Sequence, residues 1–470
     1  MKKALAFDLG ATSIRGILGY VEDGVLKTKE VLRFSHDRVK DNDRSRWNFN
    51  LIMDHITDTI IKYKDEVDTI GVDTWGVDFG VIGKDGKLLE NPVSYRDAKH
   101  ALGYAVAQKK MSLSDIFLQS GNQIMPINTL FQLLSLKEIN EDTYNKIDTL
   151  LLMPDLINYY LTGEKYSEQT IASTSQLYDL KNNEFSKEIL NTFSIDKNIF
   201  AKVISQGVVI GGLKNSKIEK LKLLDSDIKV ISVASHDTAS AVLLTKSYLD
   251  NETLFLSCGT WSLIGCVTDK AIVSKEVYEH SLTNESGYKG SNMFFTNITG
   301  LYLVEKLKSL LEMRYQKEID FADITSYVKD HKPLCTFDVA LEVFSQDEFD
   351  IIDEINKIVD IKVSHDFDYF VMIYSSLCEK YVKTIEHIKR ISNRNFTRIH
   401  IRGGGAKSEV LCQMIADSTK LDVVVGPFEA TAYGNLIIQL MAQNKIASLE
   451  DGLNIIKNTT TLLNYIPQTK

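Results

Sequence analysis

The chain has 470 residues, 44% of them hydrophobic and 25% charged, an ordinary globular composition that is too long for a single hydrophobic core and so predicts two domains. Lys and Arg number 54 against 63 Asp and Glu, a net charge of −9. Without a basic stripe this argues against a nucleic-acid partner, so an anionic ligand must be held by local backbone amides and a few cations.

The opening MKKALAFDLG has neither a long apolar stretch nor a small-residue cleavage site, and no later run approaches membrane-spanning length. The expectation is a cytoplasmic protein that does not engage a membrane. Residues 3 to 8 form an apolar strand ending in Asp8, the small residues Leu9 to Ser13 make a tight turn, and Ile14 to Tyr20 returns antiparallel. The tip suits a phosphate: Gly10 permits close backbone approach, Thr12 and Ser13 offer hydroxyl and N–H donors, and Arg15 offers a cation. Asp8 is placed to hold magnesium through water. The Gly-Lys-Ser/Thr ending of a Walker loop is absent, and an ordinary turn remains the alternative.

Apolar spacing predicts a helix over 50 to 64, then a strand over 67 to 72 leading into Asp73-Thr74-Trp75-Gly76-Val77-Asp78. Trp75 beside Gly76 reads either as an apolar platform for a small ligand, with Asp73 and Asp78 as polar contacts, or as core. Residues 84 to 87 form a turn, Tyr95-Arg96-Asp97 precedes a helix, and further helices over 127 to 139 and 153 to 161 flank a strand at 150 to 152. The polar, small-residue segment 168 to 176 reads as a cleft lining or a solvated loop, and composition favours the loop. Residues 228 to 243 then read as strand, tight turn and helix, with Asp237 at the helix start. A carboxylate there either caps the helix or accepts a proton from a substrate hydroxyl.

After Asp237 the layout begins again. The strand at 253 to 257, the tip Cys258-Gly259-Thr260 and the return strand at 263 to 266 repeat the first hairpin, and two such tips facing each other across a cleft would grip one nucleotide's phosphates. A strand at 293 to 297 runs into a helix from about 300 to 312, with Asn297 at the junction as either a helix cap or a partner for a substrate hydroxyl. The helix over 367 to 391 carries Met372, Tyr374 and Tyr381 at core-facing intervals. The strand 398 to 401 then meets Gly403, Gly404 and Gly405, which let backbone lie against a nucleotide. The strand 422 to 425 precedes a final motif helix in which Gly434 implies close packing. The five cysteines (Cys258, Cys266, Cys335, Cys378 and Cys412) are scattered without C-x-x-C spacing, as free thiols of a reducing compartment are.

The stretches DTWGVDF at 73 to 79, PINTLFQL at 126 to 133, ASTSQL at 172 to 177, SHDTASAV at 235 to 242 and GPFEATAYGN at 426 to 435 together resemble the FGGY carbohydrate kinases. The resemblance spans nearly the whole chain and implies an α/β protein of two ribonuclease-H-like domains, of the actin, hexokinase and Hsp70 type, with an active-site cleft between them. Residues 1 to 246 would bind sugar and supply the catalytic base, and residues 247 to 470 would bind nucleotide. It resembles most the members that transfer the ATP γ-phosphoryl group to the 1-hydroxyl of L-rhamnulose with magnesium, although members acting on L-fuculose, L-ribulose or xylulose share most of these motifs.

Carried over, Asp237 is the base; Trp75, Gly76, His236, Thr238 and Asn297 meet the sugar; and Ala11, Thr12, Ser13, Arg15, Thr260, Glu305 and Gly403 to Gly405 meet ATP. Two positions depart from the family pattern. Glu305 stands where relatives commonly have Gln, and Ala406-Lys407-Ser408 replaces Ser-Gln-Asn. The second class of reading is a non-catalytic nucleotide- and sugar-binding regulator, against which the presence of both Asp8 and Asp237 argues. Either way the partners are small molecules, and the assembly is a monomer or homodimer.

Overall fold

In the computed structural model, which describes residues 2–41, 43–345 and 349–468, the apolar start of the chain becomes the strand Lys3–Leu9, with Ser13–Glu22 returning antiparallel to it. Val25–Ser35 extends this meander. On the other side of Lys3–Leu9, Val67–Thr74 pairs in parallel, setting Asp8 opposite Asp73 and Leu9 opposite Thr74. Lys229–Ile231 continues in parallel and Val209–Gly212 closes the six-stranded sheet. The inner strands are buried along nearly their whole length, so they read as unbroken apolar runs rather than alternating ones.

The second sheet repeats this order. Thr253–Cys258 pairs antiparallel with Trp261–Thr268 and parallel with Arg398–Arg402, which pairs in parallel with Asp422–Val425. Asn292–Thr299 lies beyond Trp261–Thr268, and Leu463–Tyr465 lies antiparallel at the far edge. A three-stranded meander followed by parallel strands is the ribonuclease-H-like layout, present twice.

The chain forms two units: Met1–Leu244 with Thr268–Phe294 and Ala430–Thr459, and Thr245–Val267 with Phe295–Glu429 and Thr460–Lys470. Two pieces from the second half of the sequence therefore fold with the first unit, among them the helix Ala430–Ala442. Gly434 fits that helix against Asp237–Leu243 so tightly that a Cβ would lie 2.0 Å from the Ser240 carbonyl oxygen, the close packing expected of it. Asn435 Nδ2 donates to Asp73 Oδ2 at 2.6 Å, and Gln439 Nε2 donates to the Leu5 carbonyl at 3.1 Å. These bonds tie the helix to the two central strands.

The expected helix over 50 to 64 is Phe49–Tyr63, started by Asn48, whose side chain accepts from the Leu51 amide, and buried through Ile52, Ile56 and Ile60. In the second unit the expected long helix is Asp368–Ser392. Met372, Tyr374 and Tyr381 are core as read, and Tyr381 Oη lies 2.6 Å from Ser262 Oγ, pinning the helix to the hairpin strand.

The segment 168 to 176 corrects the solvated-loop expectation. It contains the short helix Gln169–Ala172, and every residue from Glu168 to Gln176 is buried. Its polar groups satisfy one another and their neighbours, so composition misled. Among the described residues no helix is long and apolar enough to cross a membrane. All five cysteines are free, as expected, and four of them are buried.

Candidate active site

The first unit gathers one set of the expected site residues where strands Lys3–Leu9 and Val67–Thr74 end. The Thr74 amide donates to the Ser235 carbonyl at 2.9 Å, and the Trp75 amide donates to the Leu9 carbonyl at 3.3 Å. The DTWG stretch thus lies against the Ser235–His236–Asp237 turn on one side and the first hairpin on the other. Asp8 pairs with Arg15 across that hairpin, Thr12 is exposed at the tip, and Ala11 and Ser13 are half-buried.

Asp237 opens its helix one position after the N-cap, which is His236, so the capping alternative does not describe it. Its Oδ1 accepts from the Thr238 amide at 2.5 Å and the Thr238 hydroxyl at 3.2 Å, and lies 3.5 Å from His236 Nε2. The side chain is 32% exposed. Burial raises the Asp237 carboxyl above the usual carboxylate range, while the His236 charge and the Thr238 donors oppose the rise. Behind the turn sits Glu168, which accepts from the amides of Thr170, Ile171 and Ser235 and from Gln206 Nε2. Thr170 Oγ1 in turn accepts from the His236 amide at 3.2 Å. A fully buried carboxylate therefore fixes the backbone that carries Asp237.

Trp75 is core: it is 6% exposed, stacks on His36 with ring centroids 5.7 Å apart, and lies 4.4 Å from Trp47. The polar contacts assigned to Asp73 and Asp78 need correction. Asp78 Oδ2 accepts from Trp47 Nε1 at 2.6 Å, Trp75 Nε1 at 2.9 Å and the Tyr95 amide at 3.1 Å, and its Oδ1 accepts from Gln132 Nε2 at 2.8 Å. Both oxygens are committed to fixing the indoles rather than to a ligand. Asp73 is completely buried, and burial together with the charge of Asp8 lifts its carboxyl well above the usual range despite the Asn435 hydrogen bond. Gly76 is half-buried, and a Cβ there would touch Thr174 at 3.2 Å.

His36, Trp47, Glu168 and Glu285 were not picked out from sequence. His36 Nε2 lies 2.9 Å from the Gly10 carbonyl and so props the hairpin tip while its ring stacks on Trp75. Burial lowers the His36 imidazole, which keeps it neutral near pH 7. Nothing local marks His36, Trp47 and Glu285, because each acts on a partner distant in sequence, and Glu168 shows locally only as a helix cap while its bonds to Gln206 and Ser235 are distant.

The second unit gathers the other set. The tip of the second hairpin accepts amides from the following helix start: Gly300 and Tyr302 donate to the Thr260 carbonyl at 3.0 and 3.3 Å, and Leu301 donates to the Gly259 carbonyl at 2.9 Å. Thr260 is exposed there. Glu305 is exposed in the first turn of Tyr302–Tyr315. The three glycines cross the end of Thr253–Cys258. Gly403 has φ +88°, and a Cβ on it would lie 2.6 Å from the Cys258 carbonyl oxygen, while Gly404 faces open space. Only glycine meets both demands at 403. Asn297 is half-buried inside the strand Asn292–Thr299, and the N-cap of the next helix is Leu301, so the capping alternative for Asn297 fails.

Two ribonuclease-H-like sheets, each with a glycine-threonine hairpin tip, define a two-domain fold of the actin, hexokinase and Hsp70 type. The FGGY family of carbohydrate kinases, N-terminal domain, matches residues 3–243, and its C-terminal domain matches residues 254–443. The chain belongs to the FGGY family of carbohydrate kinases and is a sugar phosphotransferase. It is 33% identical to a rhamnulokinase of Ligilactobacillus salivarius, with 100% of this chain and 96% of that protein covered. It is 34% identical to one of Bacteroides thetaiotaomicron, with 98% and 95% covered. Among solved structures, a ligand-bound xylulose kinase from Lactobacillus acidophilus superposes with a TM-score of 0.79 at 17% identity, covering 100% of this chain and 94% of that one. A Plasmodium falciparum glycerol kinase with ADP superposes with a TM-score of 0.78 at 15% identity, covering 100% and 95%. At these identities the superpositions establish the fold.

Proposed function

We propose that the chain is a cytoplasmic ATP-dependent ketose kinase that phosphorylates the 1-hydroxyl of L-rhamnulose, giving L-rhamnulose 1-phosphate and ADP. The observation that carries the chemistry is Asp237. Its Oδ1 is occupied by Thr238 and faced by His236, and its Oδ2 makes none of these contacts. The second oxygen is the acceptor for a hydroxyl proton. The sugar oxygen attacks the γ-phosphorus, the new O–P bond forms as the bond to the β,γ-bridging oxygen breaks, ADP leaves, and the proton passes to Asp237. Positioning and charge neutralisation supply most of the acceleration in such transfers.

Trp75, Gly76, His236, Thr238 and Asn297 are assigned to the ketose. Ala11, Thr12, Ser13, Arg15, Thr260, Glu305 and Gly403 to Gly405 are assigned to ATP. The charge balance in the first unit fits magnesium. Asp8 has Asp73 directly opposite, the buried Asp73 Oδ1 has no hydrogen-bond donor, and Asp73 also feels the charge of Asp237. Among the described residues no cluster of three or more His, Cys, Asp or Glu side chains forms a protein-only metal cage. Kinase magnesium is commonly held by one or two carboxylates together with water and substrate phosphates. Asp8 would hold it through water, and the ion would neutralise charge on the transferring phosphoryl group. Support for L-rhamnulose comes from the full-length similarity to proteins named rhamnulokinases.

Replacing Asp237 with Asn keeps shape and removes the base. Turnover should fall about a thousandfold while ATP and ketose still bind in calorimetry. Equal losses of binding and turnover would make Asp237 a structural residue.

A further inference from the structure

The strand Thr283–Ser286 belongs to the second half of the sequence but packs in the first unit, and its backbone is fastened on both sides of Glu285. The Asn284 carbonyl accepts from Asn122 Nδ2 at 2.8 Å, the Asn284 amide donates to the Gly121 carbonyl at 2.9 Å, and the Ser286 amide donates to Ser173 Oγ at 2.8 Å. The Glu285 side chain, 9% exposed, places Oε2 at 2.9 Å from His236 Nδ1. The other ring nitrogen, Nε2, faces Asp237 Oδ1 at 3.5 Å. The Glu285 contact is an ion pair without hydrogen-bond geometry, and its effect is one of charge: a carboxylate oxygen faces each ring nitrogen, which favours the doubly protonated imidazolium. A purely structural ion pair would satisfy Glu285 without aiming the opposite nitrogen at the candidate base.

We propose that Glu285 is a positioning residue for phosphoryl transfer, holding His236 as an imidazolium whose Nε2–H faces Asp237 Oδ1. This rests on the reading of Asp237 as the base. Two effects follow from the geometry. Oδ1 of Asp237 is kept on His236 and Thr238, so Oδ2 is presented to the sugar hydroxyl. The imidazolium charge also offsets the burial of Asp237 and keeps it ionised. The charged groups facing the ring are Glu285, Asp237 and Glu168, and those facing Asp237 are His236 and Asp73. Burial alone would pull the imidazole down, but Glu285, with Asp237 and Glu168 behind it, outweighs burial and raises it to about 9.

The test is Glu285→Gln, which preserves shape and removes the charge, read by nitrogen NMR of the His236 ring and by kcat/KM against pH. In the unmodified enzyme the ring carries both protons at about pH 8, above the ordinary histidine range. In Glu285→Gln the ring loses a proton below that pH. The activity profile then narrows on its alkaline limb, because the imidazolium is lost at lower pH, while on the acid limb the ring is protonated in both proteins. One unit of displacement on that limb corresponds to about a tenfold loss of kcat/KM at the edge of the profile. Glu285→Asp, which restores the charge, brings the alkaline limb back toward its original position.

A neutral His236 at about pH 7 in the unmodified enzyme overturns the proposal without any variant having to fold. So does a Glu285→Gln profile that superimposes on the original. Full turnover by Asp237→Asn would instead sink the reading of the base, an outcome separate from either His236 measurement.

Discussion

Asp78 shows how a single carboxylate can fix the indoles of the proposed sugar platform. Hydrogen bonds from Trp47, Trp75, Tyr95 and Gln132 hold it ionised against burial, and burial still wins, pushing its carboxyl up to about 6. A carboxyl raised in the folded state contributes stability that is fully present below its unfolded value of 3.8 and is lost as pH rises through about 6. The shift corresponds to about 3 kcal/mol for a fully buried group. Asp78→Asn removes this dependence, so the difference in thermal stability between variant and parent should move in the variant's favour from about pH 4 to pH 7. The ketose KM should rise in the variant, because Trp47 and Trp75 lose their charged acceptor. A pH-independent difference in melting temperature would show that Asp78 is not the ionised hub described here.

At the scale of elements, the site depends on how closely the helix Ala430–Ala442 lies on Asp237–Leu243. Gly434→Ala places a methyl group against the Ser240 carbonyl, where backbone rather than a flexible side chain must yield. The helices should separate, at a cost of about 1–3 kcal/mol, lowering the melting temperature by several degrees and kcat more than ATP affinity. Unchanged melting and kinetics would mean the contact relaxes freely. The same scale explains what was legible from sequence. The two hairpins, the helix Phe49–Tyr63 and the triple-glycine turn announce themselves through apolar runs broken by glycine and small hydroxyl residues, signals that lie within one element. The segment 168 to 176 is polar and small and reads as solvent-facing, and the polar stretch 283 to 286 carries no apolar signal, yet both are buried. Their donors and acceptors are satisfied by partners up to about 160 residues away, such as Gln123 for Thr283 and Ser173 for Ser286. A local pattern cannot show that, and for this reason Glu285 and Glu168 escaped notice while Asp237 did not.

For the whole molecule, one sheet order appears twice, and the chain returns to its first unit after building most of the second. The repeated hairpin was visible in the sequence because each copy is local. The grouping of Thr268–Phe294 and Ala430–Thr459 with the first unit was not, since it depends on contacts such as Asn435 with Asp73 that span most of the chain. Membership of the FGGY carbohydrate kinases makes the chain a sugar phosphotransferase. The proposed choice of sugar is a matter of differential transition-state binding around Trp75, His236 and Asn297.

The most direct measurement is coupled ATP-consumption kinetics with magnesium on L-rhamnulose, L-fuculose, L-ribulose, L-xylulose and D-xylulose. The account predicts the highest kcat/KM for L-rhamnulose. A preference for another ketose would contradict the assigned substrate while keeping the kinase, and no turnover on any sugar would contradict the catalytic reading itself.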